Sequence, residues 1–390
     1  MHRHKVGILN VGTSRTPASY TADVHLSYAN LDWRRFLARA PLLPPHDEAL
    51  RALAQEPILI TGAGGSIGSA LALRLGVLLP PRLVLLEASE SNLYSLERDW
   101  AAAGSVCSMT PILGSAADAA LLDEIFATHM PRIVFHAAAF KHVPLMEEQP
   151  LAGIVNNIFA TEILTHAATA HGARVVLLST DKAVRPASVM GATKRVGEQI
   201  VRAAGGTVLR LANVLASRDS VAEIFARQIV HGGPITITDP EARRYFVTRD
   251  EAVDLLLTAA SLPATSVLLA PVLPDAHPIC DLARFMASEL APGSEIPIVY
   301  TGVRPGDKII EELWSTAERI HAAECESLVA VETNLLPKSQ LKSGLSALRA
   351  ALDARDLGDA ILQLRALVPD YTPSKAVLTL AQQSESKVCI

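Results

Sequence analysis

Short apolar segments alternate with longer segments of helix-forming residues over much of this chain. The short segments are rich in Val, Ile and Leu, which is typical of strands that are buried on both faces of a parallel sheet. They lie at residues 58–61, 82–86, 110–113, 132–136, 174–178 and 207–211. The longer segments predict helices at 91–103, 118–129, 151–171 and 190–204. This alternation predicts an α/β fold built on a doubly wound parallel sheet.

Composition limits the classes of function. The chain has 390 residues, of which 49% are hydrophobic and only 4% aromatic, and this suits helices that pack on a sheet. A formal net charge of -5 gives no electrostatic reason to expect nucleic acid or an acidic membrane as a partner. No apolar stretch approaches the ~20 residues of a membrane helix, and no signal peptide is apparent. We therefore expect a cytoplasmic protein with no membrane segment.

Cysteine and histidine spacing does not predict a metal site. The four cysteines form no CxxC pair, which suggests thiols in a reducing compartment. No two of the twelve histidines combine i, i+4 spacing with an acid, as a helical zinc site would require. We predict no metal ion.

A glycine-rich segment, residues 62–68, joins the strand at 58–61 to a predicted helix. Glycines there permit a tight turn, close approach of the backbone to a pyrophosphate, and close packing of helix on strand. The phosphates of a dinucleotide would bind the free amides at the helix N-terminus. This is the pattern of a Rossmann-type dinucleotide site, to which we assign Gly62, Gly65, Ser66, Ile67 and Gly68.

Glu87 ends the next apolar segment, roughly 20 residues beyond the glycines, where an acid can bind the adenosine ribose hydroxyls. Its carboxylate would repel the 2′-phosphate of NADP, and Glu90 adds to that repulsion. No arginine follows Glu87 until Arg98, which is too far along the predicted helix to help. The predicted cofactor is therefore NAD.

Polar residues also follow the strand at 174–178. Ser179, Thr180, Asp181 and Lys182 come directly after it, and residues 190–194 open the next helix. Polar groups at the carboxyl end of a strand in an open α/β sheet lie where such folds bind ligands. The adjacent carboxyl and amine would provide an acid and a base side by side. The structural alternative is a solvated turn before a helix.

After residue 211 the alternation of strand and helix segments becomes less regular. Helices are predicted near 220–231, 250–261, 279–290 and 307–321, with two more within 340–366. The predicted organisation has four parts. They are an N-terminal arm and helical lead-in (1–56), the NAD-binding Rossmann domain (57–211), a smaller C-terminal substrate-binding lobe (212–374), from which some segments can return to the sheet, and a tail (375–390), of which the polar residues 382–390 are expected to be frayed.

Longer motifs give the chain a resemblance to a known family. They include TGAGGSIGS (61–69), FHAAAFKHVPLME (135–147), STDKAVRP (179–186), MGATKR (190–195) and TGVRPGDK (301–308). In these segments the chain resembles the extended short-chain dehydrogenases/reductases. Within them, it is similar to the capsular-polysaccharide-biosynthesis branch that contains UDP-N-acetylglucosamine 4,6-dehydratases. The similarity spans about residues 36–374.

The resemblance implies a 4,6-dehydratase that acts on UDP-N-acetylglucosamine or a close relative. Such an enzyme moves hydride from sugar C4 to the nicotinamide, eliminates water across C5 and C6, and returns the hydride to C6. The family pattern assigns Asp181 as acid at the C6 hydroxyl and Lys182 as base at C5. Thr180 would relay the C4 proton, and Lys194 would bind the nicotinamide ribose.

Further contacts are implied by the same resemblance. Ser115 and the small residues Ala137, Ala138 and Ala139 would let the dinucleotide lie close to the chain. We expect a UDP-sugar to contact six residues, of which the two arginines would bind the diphosphate: Lys141, Asn157, Met190, Asn213, Arg244 and Arg304. His142 is equally consistent with a structural role, and Asn157 with a cap on a neighbouring turn. A homo-oligomer is expected.

Departures from the family pattern leave other functions open. Met190 stands where the superfamily usually has a tyrosine, although Lys194 is retained and the membrane-anchored dehydratases are similar there. A loop that usually reads GNVLGSxGSV is ANVLASRDSV at 212–221, which brings a charged pair to the loop expected to line the sugar. The alternatives are a nucleotide-sugar 4-epimerase or a catalytically inactive nucleotide-binding homologue.

Overall fold

The computed structural model describes residues 28–263 and 266–388. Fifteen strands are present within these two ranges. In chain order they are β1 (Ile58–Thr61), β2 (Leu83–Glu87), β3 (Met109–Leu113), β4 (Ile133–His136), β5 (Arg174–Thr180), β6 (Thr207–Leu211), β7 (Asn213–Val214), β8 (Ile235–Ile237), β9 (Arg243–Arg244), β10 (Phe246–Val247), β11 (Leu268–Pro271), β12 (His277–Pro278), β13 (Ile298–Tyr300), β14 (Arg319–Ala322) and β15 (Leu328–Glu332).

Helices separate most of these strands. Over the described ranges the α-helices are α1 (Trp33–Leu37), α2 (Asp47–Leu53), α3 (Ser66–Leu78), α4 (Glu90–Ala102), α5 (Ala119–His129), α6 (Val143–Glu148), α7 (Pro150–Ile154), α8 (Ala160–Ala170), α9 (Val189–Ala203), α10 (Val221–Val230), α11 (Arg249–Ser261), α12 (Ile279–Leu290), α13 (Lys338–Asp353), α14 (Leu357–Leu367) and α15 (Lys375–Val388). A π-helical turn, Val155–Phe159, connects α7 to α8, and a 3-10 turn, Asp181–Ala183, follows β5.

The main sheet has the order β14-β15-β11-β6-β5-β4-β1-β2-β3. Seven neighbouring strands, from β3 to β11, are parallel, and β15 and β14 extend the sheet in antiparallel pairing. Every residue of β1, β2 and β4 is buried, so both faces of the sheet are covered there. The α/β, Rossmann-type, doubly wound sheet predicted from the sequence is confirmed.

Strand order reverses between β1 and β4. From β1 the chain moves through β2 to β3 at one side, and it then returns to place β4 on the other side of β1. In doubly wound folds a crevice forms at this switch point, outside the carboxyl ends of the strands. The six strands predicted between residues 58 and 211 are all present. The glycine-rich segment follows β1 and therefore lies at the switch point.

The segment after residue 211 contributes to two places. Strands β11, β15 and β14 join the main sheet, whereas α10, α12 and the short strands β8 and β13 surround a separate apolar cluster with Trp33 and Phe36 of α1. The two parts predicted on either side of residue 211 share the main sheet. Their division into separate domains stays a prediction.

Two local predictions are wrong. Residues 307–318 form no helix, and β14 follows them, because buried Glu311 and Leu313 anchor this segment by tertiary contacts that override its helical propensity. The fraying predicted from residue 382 is not seen up to residue 388, because these residues continue helix α15, whose Val377 and Ala381 are buried in a cluster with α13 and α14. Residues 1–27 of the predicted arm lie outside the described residues. Over the described part of the chain, no helix has the length and apolar character that a bilayer crossing requires.

Candidate active site

A cavity of about 1010 Å³ lies at the switch point. Its walls come from the glycine-rich segment after β1, the end of β2, the loop after β4, the end of β5, the start of α9 and residues 211–222. The cavity is large enough for a ligand of cofactor size. Most of the predicted site residues line it, namely Gly62, Gly65, Ser66, Ile67, Gly68, Glu87, Ser115, Ala137, Ala138, Ala139, Lys141, Thr180, Lys182, Met190, Lys194 and Asn213.

The glycine-rich segment is shaped by close contacts that exclude side chains. Gly62 has a φ of 68°, and a Cβ added to it would lie 2.7 Å from Ala138 N. A Cβ on Gly68 would lie 2.1 Å from Gly62 O. Helix α3 begins at Ser66, and no side chain caps its N-terminus. Its first amides are therefore available to phosphate oxygens, so these residues fit a dinucleotide.

Glu87 is buried and holds the glycine-rich segment in place. Its Oε2 accepts a hydrogen bond from Gly64 N at 2.9 Å, and its Oε1 accepts one from Ser89 N at 2.9 Å. Each carboxylate oxygen has a further lone pair for a ligand in the cavity. The position of Glu87 on the cavity wall is compatible with the predicted ribose contact.

Arg218 reaches this end of the cavity from a distant loop, and sequence reasoning did not assign it to the cofactor. Its backbone N–H donates to Ser66 Oγ at 3.0 Å. Its guanidinium donates to Gly64 O at 3.3 Å and to Asn92 Oδ1 at 3.2 Å. A basic residue therefore lies close to the glycine-rich segment, although it is far from Glu87 in the sequence.

The loop that carries Arg218, residues 216–220, has an unusual backbone. Ala216 has a φ of 56° and Asp219 a φ of 55°, both in the left-handed region that favours glycine. A non-glycine side chain at either position carries a steric cost. Lys141 Nζ donates to Arg218 O and ties this loop to the one after β4. Residues 216–220 thus connect the loop after β4 to the start of α3 across the cavity.

The end of β5 places three predicted catalytic side chains together. Thr180 Oγ1 donates to Asp181 Oδ1 at 2.8 Å, and Lys182 Nζ donates to the same oxygen at 3.0 Å. Lys182 Nζ also donates to Asn213 Oδ1 at 3.2 Å. The Asp181 side chain is fully buried behind Thr180 and Lys182, which themselves line the cavity. A ligand therefore meets the hydroxyl and the ammonium directly, and the carboxylate through them.

The charge on Lys182 is set by opposing effects. Burial lowers its pKa, but the carboxylates of Asp181 and Glu311 outweigh burial, and the net shift of the pKa is upward. Lys182 is therefore protonated at neutral pH in this arrangement. Glu311 was not among the predicted residues. The only sequence signal for it is an acid within the apolar stretch that follows TGVRPGDK.

Lys194 differs from Lys182 in having little compensating charge. Burial lowers its pKa to about 8, and Glu198 opposes the shift only in part. The side chain lies one helical turn after Met190, so both line the cavity from the start of α9. Met190 provides no proton-exchanging group there, whereas Lys194 can lose its charge close to physiological pH.

A buried hydrogen-bond chain lies beneath the cavity. Thr161 Oγ1 donates to Asn157 O at 2.7 Å, so it accepts from His136 Nε2 at 3.0 Å, and His136 Nδ1 accepts from Thr61 Oγ1 at 2.7 Å. Burial, with a contribution from Lys194, lowers the pKa of His136 to about 3, and the imidazole stays neutral. This chain connects the residue before Gly62 with the π-helical turn.

Three predicted substrate residues lie away from the cavity wall. Asn157 is buried, and its side chain binds the Phe140 backbone and Thr193. Arg244 donates to Lys308 O and Ile309 O, and Arg304 forms an exposed ion pair with Asp307 at 2.8 Å. Arg244 lies close enough to the Lys182 ammonium to oppose its charge, whereas Arg304 is exposed, and the diphosphate role of both arginines stays a prediction. Within the described ranges, no group of His, Cys, Asp and Glu is arranged to hold a metal ion.

The fold and the cavity define a Rossmann-type protein of the extended short-chain dehydrogenase/reductase class. The chain belongs to the family described as polysaccharide biosynthesis protein, whose model matches residues 58–333. The resemblance predicted from the sequence motifs is confirmed.

Three proteins illustrate this relationship. EpsC of Bacillus subtilis, a probable polysaccharide biosynthesis protein, is 37% identical over 301 residues, which cover 74% of this chain and 50% of EpsC. A UDP-glucose 4-epimerase of Rickettsia canadensis is 32% identical over 281 residues, covering 68% of this chain and 80% of the epimerase. The crystal structure of Pen from Bacillus thuringiensis has a TM-score of 0.66 and 25% identity, covering 76% of this chain and 98% of Pen. The chain spans about half the length of EpsC and of CapD of Staphylococcus aureus.

Proposed function

We propose that this chain is a NAD-dependent nucleotide-sugar 4,6-dehydratase that acts on UDP-N-acetylglucosamine or a close relative. The observation that carries the proposal is the cluster of Thr180, Asp181 and Lys182 on the wall of a dinucleotide-sized cavity. Elimination of water needs an acid and a base beyond what hydride transfer alone requires. The cluster contains both.

The residues around the glycine-rich segment would hold the cofactor. The uncapped N-terminus of α3 suits the pyrophosphate, and Glu87 suits the adenosine ribose. Bound there, NAD would supply the hydride acceptor for C4 and the hydride donor for C6. Lys194, as an ammonium on the cavity wall, would stabilise negative charge that develops at the sugar.

Thr180 and Asp181 would handle the proton from the C4 hydroxyl. Thr180 accepts this proton at Oγ1 and passes its own to Asp181 Oδ1 along their 2.8 Å hydrogen bond. Asp181 becomes neutral and later returns the proton, through Thr180 or Lys182, to the departing C6 hydroxyl, which leaves as water. The carboxylate is restored, so the proton lost at C4 is the one that leaves in the water.

Lys182 would take the C5 proton as a neutral amine. Protonation of Asp181 removes one of the two charges that raise the Lys182 pKa, so Lys182 releases its proton to solvent more readily after C4 oxidation than before it. Its side chain is 21% exposed, which gives solvent access. The Lys182 ammonium exchanges protons with solvent and returns one to C5 when hydride reaches C6, and the amine then regains a proton from solvent.

The direct test incubates the protein with NAD and UDP-N-acetylglucosamine and measures the mass of the product. A loss of one water supports the proposal. Asp181→Asn and Lys182→Met should each lower this rate by about 10²–10⁴-fold and leave NAD binding intact. Lys338→Met, which changes an exposed lysine at the start of α13, is the matched control and should keep the wild-type rate.

A 4-epimerase is the second candidate, because the Rickettsia canadensis relative carries that name and spans most of the same region. An epimerase would give a product of unchanged mass with inverted C4, detected by chromatography of the sugar nucleotide. A chain that binds NAD and UDP-sugar without any product would be the inactive homologue.

A further inference from the structure

Glu311 is a buried carboxylate that faces two lysines. Its side chain is 2% exposed. Oε1 lies 3.5 Å from Lys182 Nζ, and Oε2 lies 2.8 Å from Lys308 Nζ. Lys308 Nζ also donates to Val184 O at 2.9 Å, so this segment is fixed against the turn that follows β5. The carboxylate therefore connects a predicted catalytic residue to a segment about 130 residues away in the chain.

We propose that Glu311 is a positioning residue that holds Lys182 in its charged form and fixes its ammonium at the cavity wall. The inference about the reaction rests on the proposed function, whereas the relation between the two charges does not. Glu311 does not line the cavity, so it would act on a sugar only through Lys182.

The surroundings of Lys182 show why Glu311 has a large influence. Asp181 at the end of β5 and Glu311 favour the ammonium, and Arg244 from β9 disfavours it. Asn213 of β7 accepts a hydrogen bond but carries no charge. Lys308 faces Glu311 rather than Lys182. Glu311 is thus one of two anions that offset the burial of this amine, and it becomes the remaining one when Asp181 is protonated.

The same charges also affect the pKa of Glu311, in the opposite direction. Burial raises the pKa of this carboxyl, but Lys182, Lys308 and Arg244 outweigh burial and lower it. Glu311 therefore remains ionised at neutral pH and can act as a fixed counter-charge. An opposite charge within about 4–6 Å typically shifts a pKa by 1–3 units.

The first experiment measures the pKa of Lys182 itself, without substrate. The full chain is labelled with acetic anhydride at a series of pH values, and mass spectrometry gives the acetylation rate of Lys182. Glu311→Gln should lower its pKa by about 1 unit or more. Glu312→Gln, which changes the neighbouring carboxylate paired with Arg185, should leave it unchanged.

Equal Lys182 pKa values in wild type and Glu311→Gln would overturn the inference. Glu311→Asp retains the charge but moves the carboxylate farther from Lys182 Nζ, so it should lower the pKa of Lys182 by less than Glu311→Gln does. Thermal unfolding of each variant shows whether the chain is folded. If Glu311→Gln does not fold, Glu311→Asp is the test, and a Lys182 pKa equal to that of the wild type overturns the inference.

The second experiment follows deuterium exchange at C5 of UDP-N-acetylglucosamine as a function of pH. Because the neutral amine is the base, the rate rises as Lys182 loses its proton, and Glu311→Gln should move this rise to lower pH. The same rise at the same pH in both proteins would overturn the inference. Absence of exchange and of water loss in the wild type would reject the proposed function, whereas the labelling result would still stand.

Discussion

The side-chain amide of Asn157 pairs with both backbone polar groups of Phe140. Its Oδ1 accepts from Phe140 N at 2.8 Å, and its Nδ2 donates to Phe140 O at 3.0 Å. The π-helical turn at Val155–Phe159 directs this side chain toward the loop after β4. A polar residue within an otherwise apolar helical segment therefore fixes the shape of a cavity wall, and the α-helix is interrupted by the π-helical turn at this position.

Removing this amide should destabilise the protein. Asn157→Leu leaves two backbone groups of Phe140 without their partner, and we expect the free energy of unfolding to fall by about 1–3 kcal/mol. Urea denaturation followed by circular dichroism measures the change. Asn156→Leu removes a single hydrogen bond to Asn157 Oδ1 and should cost about 1 kcal/mol or less. Equal losses in the two variants would contradict the double pairing.

Lys194 should be a source of instability at neutral pH. Its pKa is about 8 in the folded protein and 10.5 ordinarily, so between these values the unfolded chain binds more protons and stability rises with pH. Lys194→Met should stabilise the fold at pH 7 by up to about 3 kcal/mol, and this advantage should disappear above pH 10.5. Urea unfolding at both pH values tests this. Lys342→Met, at an exposed position of α13, should show no such pH-dependent gain.

Arg218 should strengthen cofactor binding. Arg218→Ala removes the guanidinium contacts with Gly64 O and Asn92 Oδ1 and leaves the backbone contacts of this residue with Ser66 and Lys141 in place. A hydrogen bond to a charged group contributes about 1.5–3 kcal/mol, so we expect NAD affinity to fall by tenfold or more. Calorimetric titration measures the affinity. As a control, Arg284→Ala removes an exposed ion pair with Asp281 and should bind NAD with the wild-type affinity. Wild-type NAD affinity in Arg218→Ala would contradict the prediction.

A buried ion network should dominate stability behind the site. Glu198 accepts from both Arg210 and Ser179, and Arg210 and Arg195 also bind Glu318. Glu198→Gln leaves Arg210 and Arg195 to share the single carboxylate of Glu318, and this buried excess of positive charge should cost about 3–5 kcal/mol. Glu162→Gln, which breaks the exposed pair with Arg349, should cost less than about 1 kcal/mol in the same chemical denaturation. Similar losses would mean that the network contributes no more than a surface pair.

Local sequence patterns predicted the strands and turns whose conformation is determined by residues close together in the sequence. The strands from β1 to β6 followed from apolar segments, and the glycine-rich turn followed from steric demands at Gly62 and Gly68. Arg218 and Glu311 could not be found in this way, because each acts on a segment more than 100 residues away, and only the sheet topology brings them together. The helix predicted at 307–321 failed for the same reason, since long-range contacts decide the conformation of that segment.

Because β11, β15 and β14 return to the main sheet, this sheet is complete only when the second half of the chain is present. A chain cut after residue 211 would leave β6 with an open edge in place of its pairing with β11, and such an edge promotes aggregation. The family match begins at residue 58 with β1 and ends at 333, one residue beyond β15. The family match therefore coincides with the complete main sheet, in which the strands around the nucleotide site depend on strands from the second half of the chain.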